Sequence, residues 1–176
     1  PSGTDRVAAV ARRLPAIDIF VNVQGDEPEI DPRQIDQLIE ILESDLEADM
    51  ATLAVPIRSR ERLEDPACVK VVVDQHGRAL YFSRSPIPHP RSWSDDLLAA
   101  DPPLFWQHLG IYAYRREFLL RLSSLPPSRL ERTESLEQLR VLEAGSTIRV
   151  GFTEHASRGI DTWDDYRAFV RRAQAC

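Results

Sequence analysis

An apolar run that ends in a glycine and a carboxylate is the strongest chemical signal in this sequence. Residues 17–23 are mostly aliphatic and aromatic, and Gln24, Gly25 and Asp26 follow them. Such a run predicts a strand buried on both faces of a parallel sheet, and these sheets bind ligands beyond the carboxyl ends of their strands. Gly25 lets a phosphate or a base approach the backbone, and Asp26 offers the oxygen ligand that Mg²⁺ prefers. A plain strand-to-loop turn is the alternative interpretation.

Asp161 repeats this pattern far along the chain. It follows Gly159 closely and precedes Thr162, which can cap a final helix. Two such acids from distant segments can hold one Mg²⁺ that keeps its other positions for water and substrate phosphates. The alternative for Asp161 is a first-turn acid that stabilises the helix dipole.

Two hydrogen-bonding rings lie on one face of the strand predicted over residues 105–114. Alternation puts His108, Gly110 and Tyr112 on this face, and apolar side chains on the other. A glycine between two rings leaves a notch that a polyhydroxylated ligand can fill. A half-exposed strand with a satisfied histidine is the alternative.

Two arginines are candidates for binding an anion. Arg84 ends a predicted strand, and Arg91 lies in the proline-rich loop of residues 86–103. Guanidinium groups bind carboxylates bidentately, although surface arginines are common in this composition. The chain's single lysine, Lys70, is predicted to be solvated or at a sheet edge.

Glu137 and Gln138 belong to an amphipathic helix predicted over residues 129–144. Leucines follow one face of this helix, and Gly145 is its stop signal. The two polar residues lie off the leucine stripe, where side chains are normally solvated. From the pattern alone, both are interpreted as solvated.

The elements around these residues alternate between strand and helix through the first half of the chain, which predicts a parallel sheet with crossover helices. Asp31 and Pro32 predict a helix start, and a hairpin turn is expected at residues 74–77. The final helix is expected to place Tyr166, Phe169 and Val170 in the core. The predicted helices are 32–46, 116–122, 129–144 and one from 162, and the predicted strands are 17–23, 50–56, 69–73, 79–83, 105–114 and 147–153.

Composition limits the classes of protein. The 176 residues fit a single domain over 1–176. A net charge of −6 argues against general binding to nucleic acid. No apolar run approaches the roughly 20 residues that span a bilayer, and the two cysteines, Cys68 and Cys176, suggest neither a disulfide framework nor a zinc site. A cytoplasmic setting is expected, and the absence of an initial methionine suggests that an upstream segment is missing.

Seven short motifs, taken together, closely resemble the 3-deoxy-manno-octulosonate (Kdo) cytidylyltransferases, also called CMP-Kdo synthetases. The resemblance runs along the whole chain, with the motifs in the family's order and at similar spacing. They are residues 2–6 (SGTDR), 21–28 (VNVQGDEP), 50–54 (MATLA), 81–88 (YFSRSPIP), 108–112 (HLGIY), 136–140 (LEQLR) and 159–162 (GIDT).

The resemblance implies a doubly wound α/β fold of the nucleotidyltransferase type, with a mostly parallel sheet and a hairpin and loop insertion that forms the sugar site. It also implies a homodimer, Mg²⁺, and the reaction of CTP with Kdo to give CMP-Kdo and pyrophosphate for lipopolysaccharide synthesis. Asp26 and Asp161 correspond to the metal ligands and catalytic residues, and Ser2, Gly3 and Gln24 to nucleotide-binding positions. The positions that correspond to the Kdo site are Arg84, Arg91, His108, Tyr112, Glu137 and Gln138.

One departure from the family pattern lies at the N-terminus. The family begins with a strand and a phosphate-binding loop, which have no counterpart here, so on the order of 60 to 80 residues are expected to be absent. We therefore expect the chain alone to be inactive and to expose an unpaired edge at residues 17–23. Activation of another acidic sugar, such as an amino-Kdo or a sialic acid, and a non-catalytic fragment remain the alternatives.

Overall fold

A computed structural model describes residues 3–154, 156, 159–160 and 162–174. Within them the helices are α1 (Gly3–Arg13), α2 (Pro32–Ser44), α3 (Arg60–Glu64), α4 (Arg116–Leu122), α5 (Arg129–Glu134), α6 (Gln138–Glu143) and α7 (Trp163–Ala173). The strands are β1 (Ile19–Asn22), β2 (Met50–Pro56), β3 (Lys70–Val73), β4 (Ala79–Ser83), β5 (Trp106–Arg115) and β6 (Ile148–Phe152). A single 3₁₀ turn, Asp95–Leu98, interrupts the long loop. Among the described helices, none is long and apolar enough to cross a membrane.

The six strands form one sheet around β5, in the order β4-β3-β5-β2-β6, and β1 also pairs with β5. The prediction of a mostly parallel sheet is wrong. β5 runs antiparallel to β1, β2 and β3, β3 and β4 form an antiparallel hairpin, and only β2 and β6 are parallel. Hydrophobic alternation reveals which segments are strands, but the direction of each strand depends on partners far away in sequence.

Two apolar layers cover the sheet. The side chains of β2 alternate between them, with Met50 and Ala54 on one side and Ala51 and Leu53 on the other. On the first side they pack with side chains of α1, α4 and α6, and on the second side with Leu38 and Leu42 of α2. β2 is therefore buried on both faces. Burial on both faces was predicted for residues 17–23 instead, and that prediction is wrong, because Phe20 is the one buried side chain of β1.

Most element predictions are confirmed, and β2, β4 and α4 have the predicted bounds. The helix predicted over residues 129–144 is wrong, because the chain breaks into α5 and α6 at Ser135, whose φ is 54°. The predicted core face of the last helix is also wrong, since α7 contains no buried residue. Helices α1 and α3 were not predicted at all.

Lys70 corrects another expectation, because its side chain is fully buried rather than solvated. Its Nζ donates hydrogen bonds to the carbonyl oxygens of Asp65, Cys68 and Arg84, at 2.9, 2.5 and 2.5 Å. Burial lowers the pKa of the ammonium group. The three carbonyls explain how a charged group is tolerated inside the fold.

Candidate active site

A cavity of about 420 Å³ opens between the start of α1, the polar face of β5 and the turn from α5 to α6. This volume lies within the range of small-molecule sites. Six of the residues predicted from the sequence line it, which are Gly3, Gln24, His108, Tyr112, Glu137 and Gln138. Because α1, β5 and the α5–α6 turn are far apart in sequence, the sheet and its helices must assemble before this cavity exists.

A bulge in β5 shapes the cavity wall. Thr52 of β2 pairs with Tyr112, and the next residue, Leu53, pairs with Leu109, so two residues of β5 lie between these pairs without partners on β2. The Thr52 hydroxyl lies 3.1 Å from the carbonyl oxygen of Leu109 and 2.8 Å from that of Ile111. Its single proton is therefore available to the backbone carbonyls at the irregularity, where the regular pairing of β2 with β5 is interrupted.

His108 is held tightly in this wall. Its side chain is 7% exposed, and its Nε2 lies 3.0 Å from the Thr52 hydroxyl. Its ring meets the Phe82 ring edge-on, with centroids 5.0 Å apart. Burial lowers the pKa of His108 to about 3, so the imidazole is neutral near neutral pH.

Tyr112 of β5 and the start of α6 supply further polar groups. The Tyr112 hydroxyl donates to Oε1 of Gln138 at 3.3 Å, and the Thr4 hydroxyl donates to Glu137 at 2.7 Å. Burial raises the pKa of Tyr112 well above its ordinary value, so the phenol keeps its proton. Gln138 is buried, contrary to the interpretation from helix periodicity, because the break at Ser135 turns the first residue of α6 toward the cavity.

Gln24 and Asp26 extend from the cavity toward the last helix. The Gln24 amide nitrogen lies 3.4 Å from the carbonyl oxygen of Gly110. Asp26 is exposed, and its carbonyl oxygen accepts a 2.7 Å hydrogen bond from the backbone N–H of Ile160. Asp161 and Ser2 lie outside the described residues, but this bond brings the residue next to Asp161 against Asp26.

The two arginines predicted for the sugar site are not among the residues that line the cavity. Arg84 donates from Nε to the carbonyl oxygen of Glu134 at 2.8 Å and from Nη1 to that of Pro66 at 3.0 Å. Arg91 is exposed in the long loop. Arg84 also donates from Nη2 to the carbonyl oxygen of Ser135 at 3.4 Å, so it binds the backbone of neighbouring segments with part of its guanidinium and retains two of its five N–H donors.

Sequence reasoning missed several cavity residues. Arg6 and Asn22 line the cavity, as does Arg140, which forms an ion pair with Glu131. Arg6, Asn22 and Arg140 fall inside motifs used for the family resemblance, so those motifs could have identified them. Thr52 does not line the cavity, and only the pairing of β2 with β5 shows that its hydroxyl contacts His108.

Among the described residues, no group of three or more His, Cys, Asp or Glu side chains is arranged to hold a metal ion. A Mg²⁺ ion does not need such a group. It usually takes only one or two carboxylates from the protein and completes its coordination with water and phosphate oxygens. The donor chemistry of Asp26 fits this pattern.

The chain is similar to known proteins along most of its length. The model of a family described as "Cytidylyltransferase" matches residues 1–148. The 3-deoxy-manno-octulosonate cytidylyltransferase of Rhodopirellula baltica is 55% identical over 175 residues, which cover 99% of this chain and 70% of that protein. The protein of the same description from Syntrophobacter fumaroxidans is 51% identical, over 96% of this chain and 66% of its own length. A solved structure of CMP:2-keto-3-deoxy-manno-octonic acid synthetase complexed with CTP has a TM-score of 0.87 and 42% identity, and the match covers 99% of this chain and 69% of that one.

Proposed function

Because the chain belongs to the 3-deoxy-manno-octulosonate cytidylyltransferase family, we propose that its cavity serves cytidylyl transfer from CTP to Kdo, with CMP-Kdo and pyrophosphate as products. The observation that carries the proposal is the polar wall of His108, Tyr112 and Gln138 beside Gln24. Kdo has a carboxylate and several hydroxyls, and this wall offers the acceptors and donors that hydroxyls require.

We divide the cavity between the two substrates. Gly3 at the start of α1 is proposed to bind the nucleotide, as is Ser2, which is outside the described residues, and Gln24 is proposed to lie between the nucleotide and the sugar. His108 and Tyr112 of β5, with Glu137 and Gln138 from the α5–α6 turn, face the sugar. Arg84 and Arg91 are proposed to meet the sugar carboxylate at the outer edge, where Arg84 retains free donor capacity.

Asp26 and Asp161 are proposed to hold Mg²⁺. Asp26 lies in the segment that follows β1 and is exposed, and its carbonyl oxygen accepts a hydrogen bond from Ile160, which precedes Asp161 in the sequence. When bound, the metal neutralises charge on the triphosphate. The two carboxylates provide the charge that this role needs.

In the proposed reaction, the anomeric hydroxyl of Kdo attacks the α-phosphorus of CTP. A new bond forms between that oxygen and the α-phosphorus, the hydroxyl proton passes to solvent, the bond from the α-phosphorus to the oxygen that bridges it to the β-phosphate breaks, and pyrophosphate leaves. The chain contributes mainly positioning, because phosphoryl transfer needs aligned reactants and stabilised charge rather than a covalent group from the protein. A neutral His108 and a protonated Tyr112 suit this role, since both act as hydrogen-bonding groups rather than as charges.

Pyrophosphate release with CTP, Kdo and Mg²⁺ tests the proposed function. It is measured on this chain and on the chain extended with the part of the R. baltica relative that this chain does not span. We expect Kdo-dependent release from the extended chain. Release that depends on a sialic acid or an amino-Kdo instead of Kdo would show that this other sugar is the substrate. No release with any acidic sugar would overturn the proposal.

The division of the cavity predicts that His108→Ala and Arg84→Ala damage the use of Kdo more than the binding of CTP. Each leaves a polar group of the sugar without its partner, which costs roughly 1 to 3 kcal/mol, or about fivefold to 150-fold in the KM for Kdo. The Kd for CTP, measured by isothermal titration, should change by less than about threefold. A large loss of CTP affinity would show that the residue binds the nucleotide rather than the sugar. His89→Ala, in the long loop, is the control.

A further inference from the structure

We infer that Thr52 is a positioning residue that keeps the His108 proton on Nε2, so that Nδ1 faces the cavity as a hydrogen-bond acceptor for a hydroxyl of the sugar. The part of this inference that concerns the sugar rests on the proposed function. The part that concerns the histidine tautomer rests on the contacts of Thr52 alone.

The contacts of the Thr52 hydroxyl decide the tautomer. Three groups surround its oxygen, which are His108 Nε2 at 3.0 Å and the carbonyl oxygens of Leu109 at 3.1 Å and Ile111 at 2.8 Å. A threonine hydroxyl has one proton, and a carbonyl oxygen can only accept. The proton of Thr52 is therefore directed to the carbonyls, and the free lone pair of its oxygen needs a donor. His108 Nε2–H is that donor.

The opposite tautomer leaves this site unsatisfied. If Nε2 carried no proton, the threonine would have to choose between the imidazole and the two carbonyls. The single hydroxyl proton would then serve three acceptors instead of two, and a buried acceptor that loses its donor costs about 1 to 3 kcal/mol. Thr52 is completely buried, so water cannot substitute for the missing donor.

The surroundings of His108 keep the ring in place for this purpose. The Phe82 ring contacts it edge-on, and the Tyr112 ring lies 5.4 Å away on the cavity side. Among the hydrogen bonds between described residues, the one to Thr52 is the single bond of the His108 ring. Burial lowers the pKa of His108, which keeps Nδ1 unprotonated and able to accept.

The bulge of β5 explains why a threonine is placed here. The irregularity between Thr52 and Leu53 turns two carbonyl oxygens of β5 toward the side chain of Thr52. One hydroxyl therefore satisfies the backbone at the bulge and also orients the neighbouring histidine. Valine has the same shape as threonine but supplies neither function.

The first test is nuclear magnetic resonance of the protein with ¹⁵N-labelled histidine, without substrates. We expect His108 to show a protonated Nε2 and an unprotonated Nδ1, and Thr52→Val to change this signature or mix the two tautomers. A protonated Nδ1 in the unsubstituted protein would overturn the inference. This measurement does not depend on any activity, so it distinguishes a wrong tautomer from a wrong function.

The second test asks whether Thr52 acts through His108. In the extended chain, we expect Thr52→Val to raise the KM for Kdo about tenfold, with a smaller effect on the KM for CTP. Thr52→Ser, which retains the hydroxyl, should remain within about twofold of the unsubstituted protein. In a His108→Ala background, Thr52→Val should add no more than about twofold, because the group that it orients is gone.

The double substitution also separates positioning from stability. Loss of the Thr52 hydroxyl at the bulge affects the structure equally with and without His108. Loss of the histidine tautomer can raise the KM for Kdo only where His108 is present. An equal rise in the KM for Kdo in both backgrounds would show a purely structural role and overturn the inference. If Thr52→Val does not fold, the tautomer in the unsubstituted protein and in Thr52→Ser still decides it. Should Kdo fail as a substrate of the unsubstituted protein, the proposed function fails, and the tautomer is judged by the resonance data alone.

Discussion

Asp26→Asn is expected to lower the rate of Kdo-dependent pyrophosphate release at least 100-fold in the extended chain. An asparagine has nearly the same shape as an aspartate but lacks the negative charge that a Mg²⁺ site needs. Asp26 is exposed at the end of the segment that follows β1, so the substitution removes charge without disturbing the core. Asp161→Asn is expected to have an effect of similar size, because the two carboxylates are proposed to share the ion.

Two further measurements make this prediction specific. Asp36→Asn replaces another exposed carboxylate, on α2, and should leave the rate within about twofold of the unsubstituted protein. Titration of CTP with and without Mg²⁺ gives a readout besides turnover, since Asp26→Asn should reduce the Mg²⁺-dependent part of CTP binding. Near-normal rates at limiting Mg²⁺ would show that Asp26 is not a ligand.

Lys70→Met is expected to reduce the free energy of unfolding by about 3 to 5 kcal/mol. Methionine has a similar length but cannot donate hydrogen bonds, so three carbonyl oxygens lose the donor that Lys70 Nζ gives them. Urea denaturation followed by circular dichroism measures the loss, and an unchanged slope against urea shows that the denatured state is the same. Val72→Met, on the same strand but without a polar group, is the matched control.

The pH dependence of this difference has a definite sign. Because burial lowers the pKa of Lys70 in the folded protein, the unfolded chain binds more protons between that lowered pKa and the ordinary value of 10.5. The stability contributed at this position therefore rises with pH across that window. The gap between the unsubstituted protein and Lys70→Met should widen from neutral pH toward pH 10.5. A constant gap would contradict the lowered pKa of Lys70, and a variant as stable as the unsubstituted protein would contradict the role of these hydrogen bonds.

Local patterns in the sequence were sufficient for most of the elements and for one wall of the site. Alternation along β5 predicted that His108 and Tyr112 share a face, and both line the cavity. Asp31 and Pro32 predicted the start of α2, where the Asp31 side chain accepts from the backbone N–H of Arg33. These features depend on neighbours a few residues apart, which is the range that period and capping rules describe.

Other features depended on contacts between distant segments. The predicted parallel direction of the strands was wrong, because β5 pairs antiparallel with three strands from other parts of the chain. The break at Ser135 was missed because the leucine spacing continues across it, although the backbone adopts a φ of 54° there. Lys70 was placed in solvent because no local pattern shows that three backbone carbonyls converge on its ammonium group.

The sequence by itself therefore determined the family, most of the elements and the residue types available for chemistry. The tertiary structure alone decided which of those residues meet. Thr52 and His108 are separated by 56 positions in the chain, and Asp26 meets Ile160 across a still longer separation. Periodicity describes one element at a time, whereas a hydrogen bond between elements depends on how the whole sheet pairs and on where it bulges.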